Sequence, residues 1–562
     1  MTQTAQELLN PLEAFARQVA RRPDATAFVQ PLGQGRLREY SWRQIDDEAR
    51  RMAAWLRMQD LAPHSNVALL SKNCAEWIIC DLAIWMAGHV SVPLYPTLTA
   101  QTVNQIMTHS GSKILFVGKL DGWAEMKPGV PDGVTCVAFS LAPDDARNSF
   151  RTWNDIVDEY KPLDDIANPA PSDLATIIYT SGTTGMPKGV MHDFARFAAI
   201  GSGSGKVYSM SEKDRLISYL PLSHVAERVA VEGAMLYNGL TIFFAESLDT
   251  FAQDLQRARP TVFFAVPRIW SKFYQKVCEK MPPGKLERLL KIPLLNRLVR
   301  KKLLTALGLN ECRLALSGAA ALSPELIGWY KRLGLEILEV YGMTENMAWS
   351  HATRVGDQRI GYVGKPNPGV DCRIGEHGEI LVKSPGSMLG YYKEPEMSAA
   401  AFIDKVWLRT GDQGEIDADG RLRITGRLKE IFKTSKGKYV APAPIENKLV
   451  GLPGIELVCV VGADMPQPIA LLNLTPEEKV RMAERESERE HFSRELEALR
   501  KAVNDTLDPH EQLACCVVVK AAWSVENGIV TPTLKIKRNE LEKHYAERLT
   551  KWQSGKGVIW EQ

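Results

Sequence analysis

Neither CxxC nor HExxH occurs anywhere in the chain, so no zinc or disulfide-exchange spacing is on offer. The nine cysteines are scattered; Cys74 and Cys80 are separated by five residues, and Cys515 and Cys516 are adjacent. Ordinary reduced thiols are the expectation. A basic excess is also missing. The formal net charge of +2 over 562 residues argues against a dedicated nucleic-acid binder. Long apolar runs are lacking too. The most apolar stretch, "WIICDLAIWMAGHVSVPLYPT", is broken by Asp81, His89 and two prolines. It reads as a buried helix followed by a strand, and not as a membrane span. The first residues, "MTQTAQELLNPLEAFARQVARRPD", hold no apolar core of signal-peptide type, and a cytoplasmic protein is expected. No internal repeat is present.

What is there points to an α/β protein too long for one core. Up to about residue 170, helical and strand patterns alternate, as in "EYSWRQIDDEARRMAAWLRMQDLAPHSNVALL", "KILFVG" and "TCVAF". The alternation resumes in "GLTIFFAES", "PTVFFAVP" and "CRLALSGAAAL". Such alternation implies layered, mostly parallel sheets covered on both faces. From Gly361 to Arg427, short strands rich in Gly and Asp suggest hairpins and a small barrel or twisted sheet. A last α+β unit follows, with a charged helical pattern from Pro476 that reads as a solvated surface element. "GSGSGK" (Gly201 to Lys206) lacks the GxxxxGK[ST] spacing and reads as a flexible loop.

The stretch "YTSGTTGMPKGV", Tyr179 to Val190, is too polar for a strand and too flexible for a core. Its glycines let backbone N–H groups turn inward, its hydroxyls add donors, and Lys188 adds a positive charge. Together they make a nest for phosphate oxygens, though not a Walker A loop. The string resembles the phosphate-loop signature of the adenylate-forming superfamily. Other motifs resemble that superfamily in the expected order: "LSGAAAL" its adenine-side loop, "EVYGMTEN" its aromatic-plus-acid motif, "LRTGD" its ribose segment and "ITGRLKEIFKTSKGKYVAPAPIE" its hinge. The strings "LPLSHVAER", "AVPRIW", "KTSKGKYVAPAPIE" and "NGIVTPTLKIKR" are similar to its long-chain fatty acyl-CoA synthetase branch.

The resemblance implies two domains, an N-terminal adenylation domain over 1–428 and a small mobile C-terminal domain over 429–562. It implies that a carboxylate attacks the α-phosphate of ATP, and that the thiol of CoA then takes the acyl group and releases AMP. The substrates would be a fatty acid, ATP and CoA, with Mg²⁺ as cofactor and no nucleic acid. On the family pattern Thr180, Ser181, Gly182, Thr183, Thr184, Gly185 and Lys188 cradle the β- and γ-phosphates. Gly318, Ala319, Ala320, Tyr341 and Gly342 receive the adenine. Thr344 holds the α-phosphate, Glu345 the metal, Asp412 the ribose hydroxyls, and Arg427 the ribose or phosphate from the other side. His224 is expected near the acyl carboxylate, with no general-base role, since a fatty carboxylate is already ionised. Gly437 would let pantetheine pass. Lys429 is the implied hinge, and Lys535 the lysine that bridges carboxylate and α-phosphate. Spacing alone does not choose Lys535 over Lys537, which shares its face in an extended stretch, or over Arg538. Hand-over to a separate carrier protein and a non-catalytic nucleotide binder are the alternatives, and Glu345, Asp412 and Lys535 are all present against the latter. Gly233 and Ala234 read equally as acyl-pocket lining or as buried helix.

One segment lies outside the motifs. "GKLERLLKIPLLNRLVRKKLLTALG", Gly284 to Gly308, carries seven Lys or Arg against one acid and is divided by Pro293 into two short helices. It reads as a packed helix with a basic outer surface, or as a surface that meets anionic lipid at the inner membrane face.

Overall fold

The computed structural model describes residues 8–180, 186–281, 283–524, 527–531 and 535–561. The large N-terminal part is built on three sheets. The widest has eight strands, running parallel from Thr152 back to Leu174–Thr180 and ending in two antiparallel strands, Lys188–Asp193 and Gly390–Tyr391. A second, of four strands, pairs Thr26–Pro31 with Leu37–Ser41 and Thr241–Phe244, with Arg215–Ser218 at its edge. The third has five strands, with Val262–Ala265, Leu314–Ser317 and Ile337–Tyr341 in parallel. Strands of a parallel sheet are buried on both faces and need not alternate. Accordingly Val262–Ala265 and Leu314–Ser317 are buried at every position.

Local signals seen in the sequence act as expected. Ser41 caps the helix Trp42–Arg57 through a reciprocal bond pair with Gln44. The helix Ala75–Met86 is buried all round, as its broken apolar run requires of a core helix. Charge is nevertheless buried in that core, with Arg228 at its centre. Arg228 is fully buried, pairs with Asp81 and Glu232, bonds Thr176 Oγ1 at 2.7 Å and faces the rings of Trp77 and Trp85. The backbone from Arg228 to Gly233 forms a π-helical turn just beyond His224. Gly233 and Ala234 are buried in this helical region, and a Cβ on Gly233 would lie 3.6 Å from Gly201 Cα.

"GSGSGK" is not the loop expected from its composition. It lies inside the helix Phe194–Tyr208. Its glycines are there for close approach: a Cβ on Gly201 would stand 2.5 Å from the Tyr237 ring, one on Gly203 3.0 Å from Trp349, and one on Gly205 would overlap the Asn238 amide. The helical propensity lost to glycine is offset by this packing.

Five strands between residues 371 and 427, Gly390–Tyr391 not among them, form an antiparallel sheet in which Trp407–Ile416 is paired on both sides. Beyond it a four-stranded sheet (Ile455–Val461, Ile469–Leu474, Cys515–Val518, Gly557–Trp560) carries helices on both faces. The charged pattern from Pro476 becomes two helices, Pro476–Glu484 and Glu486–Asn504, that bury only Met482, Phe492, Leu496 and Val503. All nine cysteines are free.

Candidate active site

The site starts at the mouth of the glycine-rich loop. Strand Leu174–Thr180 leads out and Lys188–Asp193 returns beside it, with Thr180 opposite Lys188. Ser181, Gly182, Thr183, Thr184 and Gly185 lie outside the described residues. The short strand Gly390–Tyr391 pairs with the return strand and sets Tyr391 opposite Val190. The Lys188 ammonium stands 5.4 Å from the Tyr391 ring centroid, a cation–π distance. The Tyr391 phenol donates to Glu345 Oε1 at 2.9 Å. Tyr391 was not anticipated from the sequence. Its only local signal is a tyrosine pair after glycine in "MLGYYKE".

Thr344 and Glu345 occupy a tight turn, Thr344–Asn346, at the end of strand Ile337–Tyr341. The turn is held from behind. His192 Nε2 donates to Thr344 O at 2.8 Å, the Met388 N–H to Glu345 O at 2.7 Å, and the Met343 N–H to Asn346 Oδ1 at 2.9 Å. Burial drives His192 down to about 3, so it is neutral and serves as a donor. A Cβ on Gly342 would collide with the Ala348 backbone, which is why the turn begins with glycine.

Tyr341, Asp412 and Arg427 form one constellation. Asp412 and Arg427 are direct antiparallel partners. Arg427 Nε donates to Asp412 Oδ1 at 2.8 Å, and the Tyr341 phenol donates to Asp412 Oδ2 at 2.7 Å. Burial works against the Arg427 cation, but Asp412 beside it outweighs that, and its guanidinium stays above the ordinary range. Burial first, and then the Asp412 charge, push the Tyr341 phenol well up, so it stays protonated and donates. On the loop after strand Leu314–Ser317, Ala319 takes a φ of 69°, and a Cβ on Gly318 would lie 2.7 Å from Val340 Cγ2. Ala319 and Ala320 are exposed there. Glu339, one strand position behind Val340, is buried and pushed up to about 7 by desolvation.

Lys535 comes from the other domain. Val530 and Ile536 bridge, the Thr531 N–H donates to Lys535 O at 2.8 Å, and the Lys535 N–H donates to Thr531 Oγ1 at 3.0 Å. The lysine keeps water-accessible surface in the cleft, yet the surrounding protein and then the Arg427 charge hold its ammonium below the ordinary lysine range, against Asp412, Glu345 and Glu430. His224 feels the same cation. Burial, and then Lys535, bring it down to about 4. Its Nδ1 accepts the Ala226 N–H at 3.2 Å, which leaves the proton on Nε2. Of the rival cations, Arg538 is bound within its own domain, to Glu446 at 2.7 Å and to Val460 O. Lys535 is the one whose ammonium feels the charges of both Glu345 and Asp412.

Lys429 lies in the 3₁₀ turn Leu428–Glu430, two residues after Arg427. Gly437, with φ 77°, turns the hairpin of Phe432–Lys433 and Tyr439–Val440, whose Ser435 N–H bonds Met465 O at 2.9 Å in its own domain. The structure thus places Lys535 where it feels the Glu345 and Asp412 charges, while the Gly437 hairpin is bonded within its own domain. A further cross-domain link, Arg268 to Glu456, was not anticipated.

Among the described residues no group of three or more His, Cys, Asp or Glu could hold a metal ion. A divalent ion here would have the single carboxylate of Glu345 and otherwise oxygens of water and phosphate, which is the donor set that Mg²⁺ accepts.

The tyrosine–carboxylate–arginine cluster of Tyr341, Asp412 and Arg427, the Tyr391–Glu345 bond and a lysine from the C-terminal part lie on the motifs that the sequence singled out. The AMP-binding enzyme family model matches residues 15–392, and the AMP-binding enzyme C-terminal domain model matches 429–554. The chain belongs to the AMP-binding enzyme family, in the branch that holds the long-chain acyl-CoA synthetases. It is 32% identical over 523 residues to a long-chain-fatty-acid–CoA ligase of Mycobacterium tuberculosis, covering 85% of this chain and 86% of that one. It is 31% identical to the peroxisomal long chain acyl-CoA synthetase 6 of Arabidopsis thaliana, covering 86% and 77%. The adenylation domain of a carboxylate reductase from Mycobacterium chelonae shares the fold, with a TM-score of 0.82 at 23% identity over 98% of this chain and 92% of that one.

Proposed function

We propose that the protein is an AMP-forming acid–thiol ligase that activates a long-chain fatty carboxylate with ATP and passes the acyl group to CoA. The observation that carries this reading is the convergence of Lys535 with Glu345, Asp412, Arg427 and His224 across the domain boundary. The names of its relatives support the long-chain acid and the thiol.

In the first half-reaction a carboxylate oxygen forms a bond to the α-phosphorus, and the bond to the β-phosphate oxygen breaks. Acyl-AMP and pyrophosphate result. Negative charge concentrates at the phosphoryl oxygens, where a preorganised cation acts most strongly. Lys535 supplies that cation, and Arg427 a second. Thr180, Ser181, Gly182, Thr183, Thr184, Gly185 and Lys188 hold the β- and γ-phosphates. Tyr341, Gly342 and the loop Gly318, Ala319 and Ala320 receive the base, and Asp412 the ribose. Thr344 holds the α-phosphate. Glu345, oriented by Tyr391, would hold Mg²⁺, which when bound neutralises charge on the phosphates. Neutral His224 orients the carboxylate through Nε2–H without taking a proton.

In the second half-reaction the CoA sulfur bonds to the acyl carbon, the bond from that carbon to the AMP phosphate oxygen breaks, the thiol proton passes to solvent and AMP leaves. Residues 1–428 and 429–562 act as two bodies that turn about Lys429. The turn withdraws Lys535 and presents the Gly437 hairpin to the pantetheine arm. We assign the reaction to the cytoplasm, near a membrane where fatty carboxylates partition. The test is AMP and pyrophosphate release from fatty acids of graded length, with acyl-CoA read by mass spectrometry. AMP release that requires both a long-chain acid and CoA is expected. Steady turnover without CoA, or acyl-AMP that CoA does not discharge, would overturn the reading.

A further inference from the structure

The hairpin formed by the helices Pro283–Lys291 and Leu295–Ala306 takes no part in the site above. Its inner side is ordinary core. Leu286 is buried, and Leu290, Val299, Leu303, Leu304 and Leu307 pack against the cluster of Phe251, Phe263, Trp270, Phe273 and Trp329. Leu298, which helical spacing groups with Val299 and Leu303, does not join them. It is 66% exposed, and Ile292 and Leu294 beside it are 47% and 77% exposed. The second helix buries no side chain fully. Leu294 takes a φ of 68° with ψ −47° in a tight turn closed by the Leu295 N–H on Pro293 O at 2.8 Å, a backbone region that is costly for a branched side chain. It directs a large leucine away from the protein at the hairpin tip.

The charge around this tip is one-sided. From Arg288 to Asn310 there are six Lys or Arg and no Asp or Glu. Among the described residues none of the six forms an ion pair, whereas Arg259, Arg268 and Arg313, the arginines nearest the hairpin in sequence, pair with Glu311, Glu456 and Asp214. Unpaired cations are spread over the exposed surface as Lys291, Arg297, Lys301 and Lys302. Three apolar side chains ringed by unpaired cations complement one surface in particular. An anionic lipid interface offers phosphate at the rim and acyl chain at the centre. A nucleic acid would use the cations but not the leucines, and the segment contains no aromatic residue on which a base could stack.

We propose that the hairpin tip docks on anionic membrane: Ile292, Leu294 and Leu298 enter the headgroup–acyl boundary, while Lys291, Arg297, Lys301 and Lys302 meet lipid phosphates. The contact is reversible and peripheral, and among the described residues no helix is long and apolar enough to cross a membrane. The inference goes beyond the proposed activity and does not depend on it.

The full-length protein is sedimented with vesicles of phosphatidylcholine alone and of phosphatidylcholine with phosphatidylglycerol, at low and high salt. Two variants are compared: Arg297→Gln/Lys301→Gln/Lys302→Gln, and Ile292→Ser/Leu294→Ser/Leu298→Ser. Each substituted side chain is exposed, so both variants should keep the wild-type Tm. Binding is expected to anionic vesicles only and to fall with salt. The charge variant should lose on the order of a hundredfold in affinity. The apolar variant should bind more weakly and lose what remains at high salt. Equal binding to neutral vesicles, or wild-type binding by either variant, overturns the proposal. So does binding to soluble RNA that is as tight as to vesicles and indifferent to the apolar substitutions, which would make the tip a polyanion site.

Discussion

Lys535→Ala separates the two half-reactions most sharply. The wild-type ammonium shares a cleft with Glu345, Asp412 and Arg427, and its charge is felt by His224. Removing it leaves Arg427, already bound to Asp412, as the remaining cation there. The loss of one donor that acts on developing charge costs on the order of a hundred- to a thousandfold, roughly 3–4 kcal/mol. A unit charge about 4 Å away at an effective dielectric of about 20 is worth about the same. The assay has two arms: pyrophosphate exchange for adenylation, and thioester formation from pre-formed acyl-AMP and CoA. The first should fall by that factor and the second should hold. The pH profile adds an independent reading. Burial and Arg427 lower the Lys535 pKa, so its charge is lost as pH rises through a value below the ordinary lysine range. Adenylation should therefore decline earlier on the alkaline side than an ordinary lysine allows, and the alanine variant should lack that limb. Equal loss in both arms would refute the role, as would a Lys537→Ala variant that reproduces the defect while Lys535→Ala does not.

Tyr391→Phe removes the phenol from Glu345. A hydrogen bond to a charged group is worth roughly 1.5–3 kcal/mol, so adenylation should fall about ten- to a hundredfold and need more Mg²⁺; an unchanged metal requirement would count against the orienting role. Arg268→Ala breaks the link to Glu456 on the other domain, which should slow adenylation and spare or speed transfer from pre-formed acyl-AMP. If both half-reactions shift together, the pair does not select a pose. Lys429→Pro fixes φ near the value that a 3₁₀ turn already uses, so acyl-AMP should still form while transfer to CoA fails; loss of adenylation as well would point to a different hinge.

Much of the site was readable because its parts lie in short ordered strings. What was not readable depends on partners remote in sequence. Tyr391 stands 46 residues from Glu345, and nothing in "MLGYYKE" announces that bond. The glycines of "GSGSGK" looked like a loop because local composition cannot distinguish a glycine that bends the chain from one that admits a neighbour. Tyr237, Asn238 and Trp349, which need that room, lie well downstream. Lys535 and Lys537 are equivalent on an extended stretch. In the structure Lys535 feels the Glu345 and Asp412 charges, which the local sequence around it does not show. The helix and strand alternation was legible for the opposite reason, since periodicity and caps act within a few residues, as Ser41 and Gln44 do.

The proposed hinge at Lys429 fits the contacts that a turn there would have to preserve. Asp412 and Arg427 are neighbours in one antiparallel sheet, and both precede Lys429. A rotation at Lys429 leaves that pair intact, together with the Tyr341 bond to Asp412. The same rotation carries away Lys535, whose loop is held by Ile529, Val530 and Thr531 in the C-terminal domain. Groups that would hold AMP through both half-reactions thus lie before the hinge, and the cation needed for one of them lies after it. The Arg268–Glu456 pair bridges the two bodies from the far side of the sequence, on a side chain just beyond strand Val262–Ala265 and one in strand Ile455–Val461. A charged contact of this kind, with Arg268 substantially exposed, is weak enough to break on each cycle. A buried pair such as Arg228 with Asp81 and Glu232 is not, since separating buried charges leaves each uncompensated. Exposed pairing across the boundary and buried pairing within the large domain are what the proposed alternation about Lys429 would require.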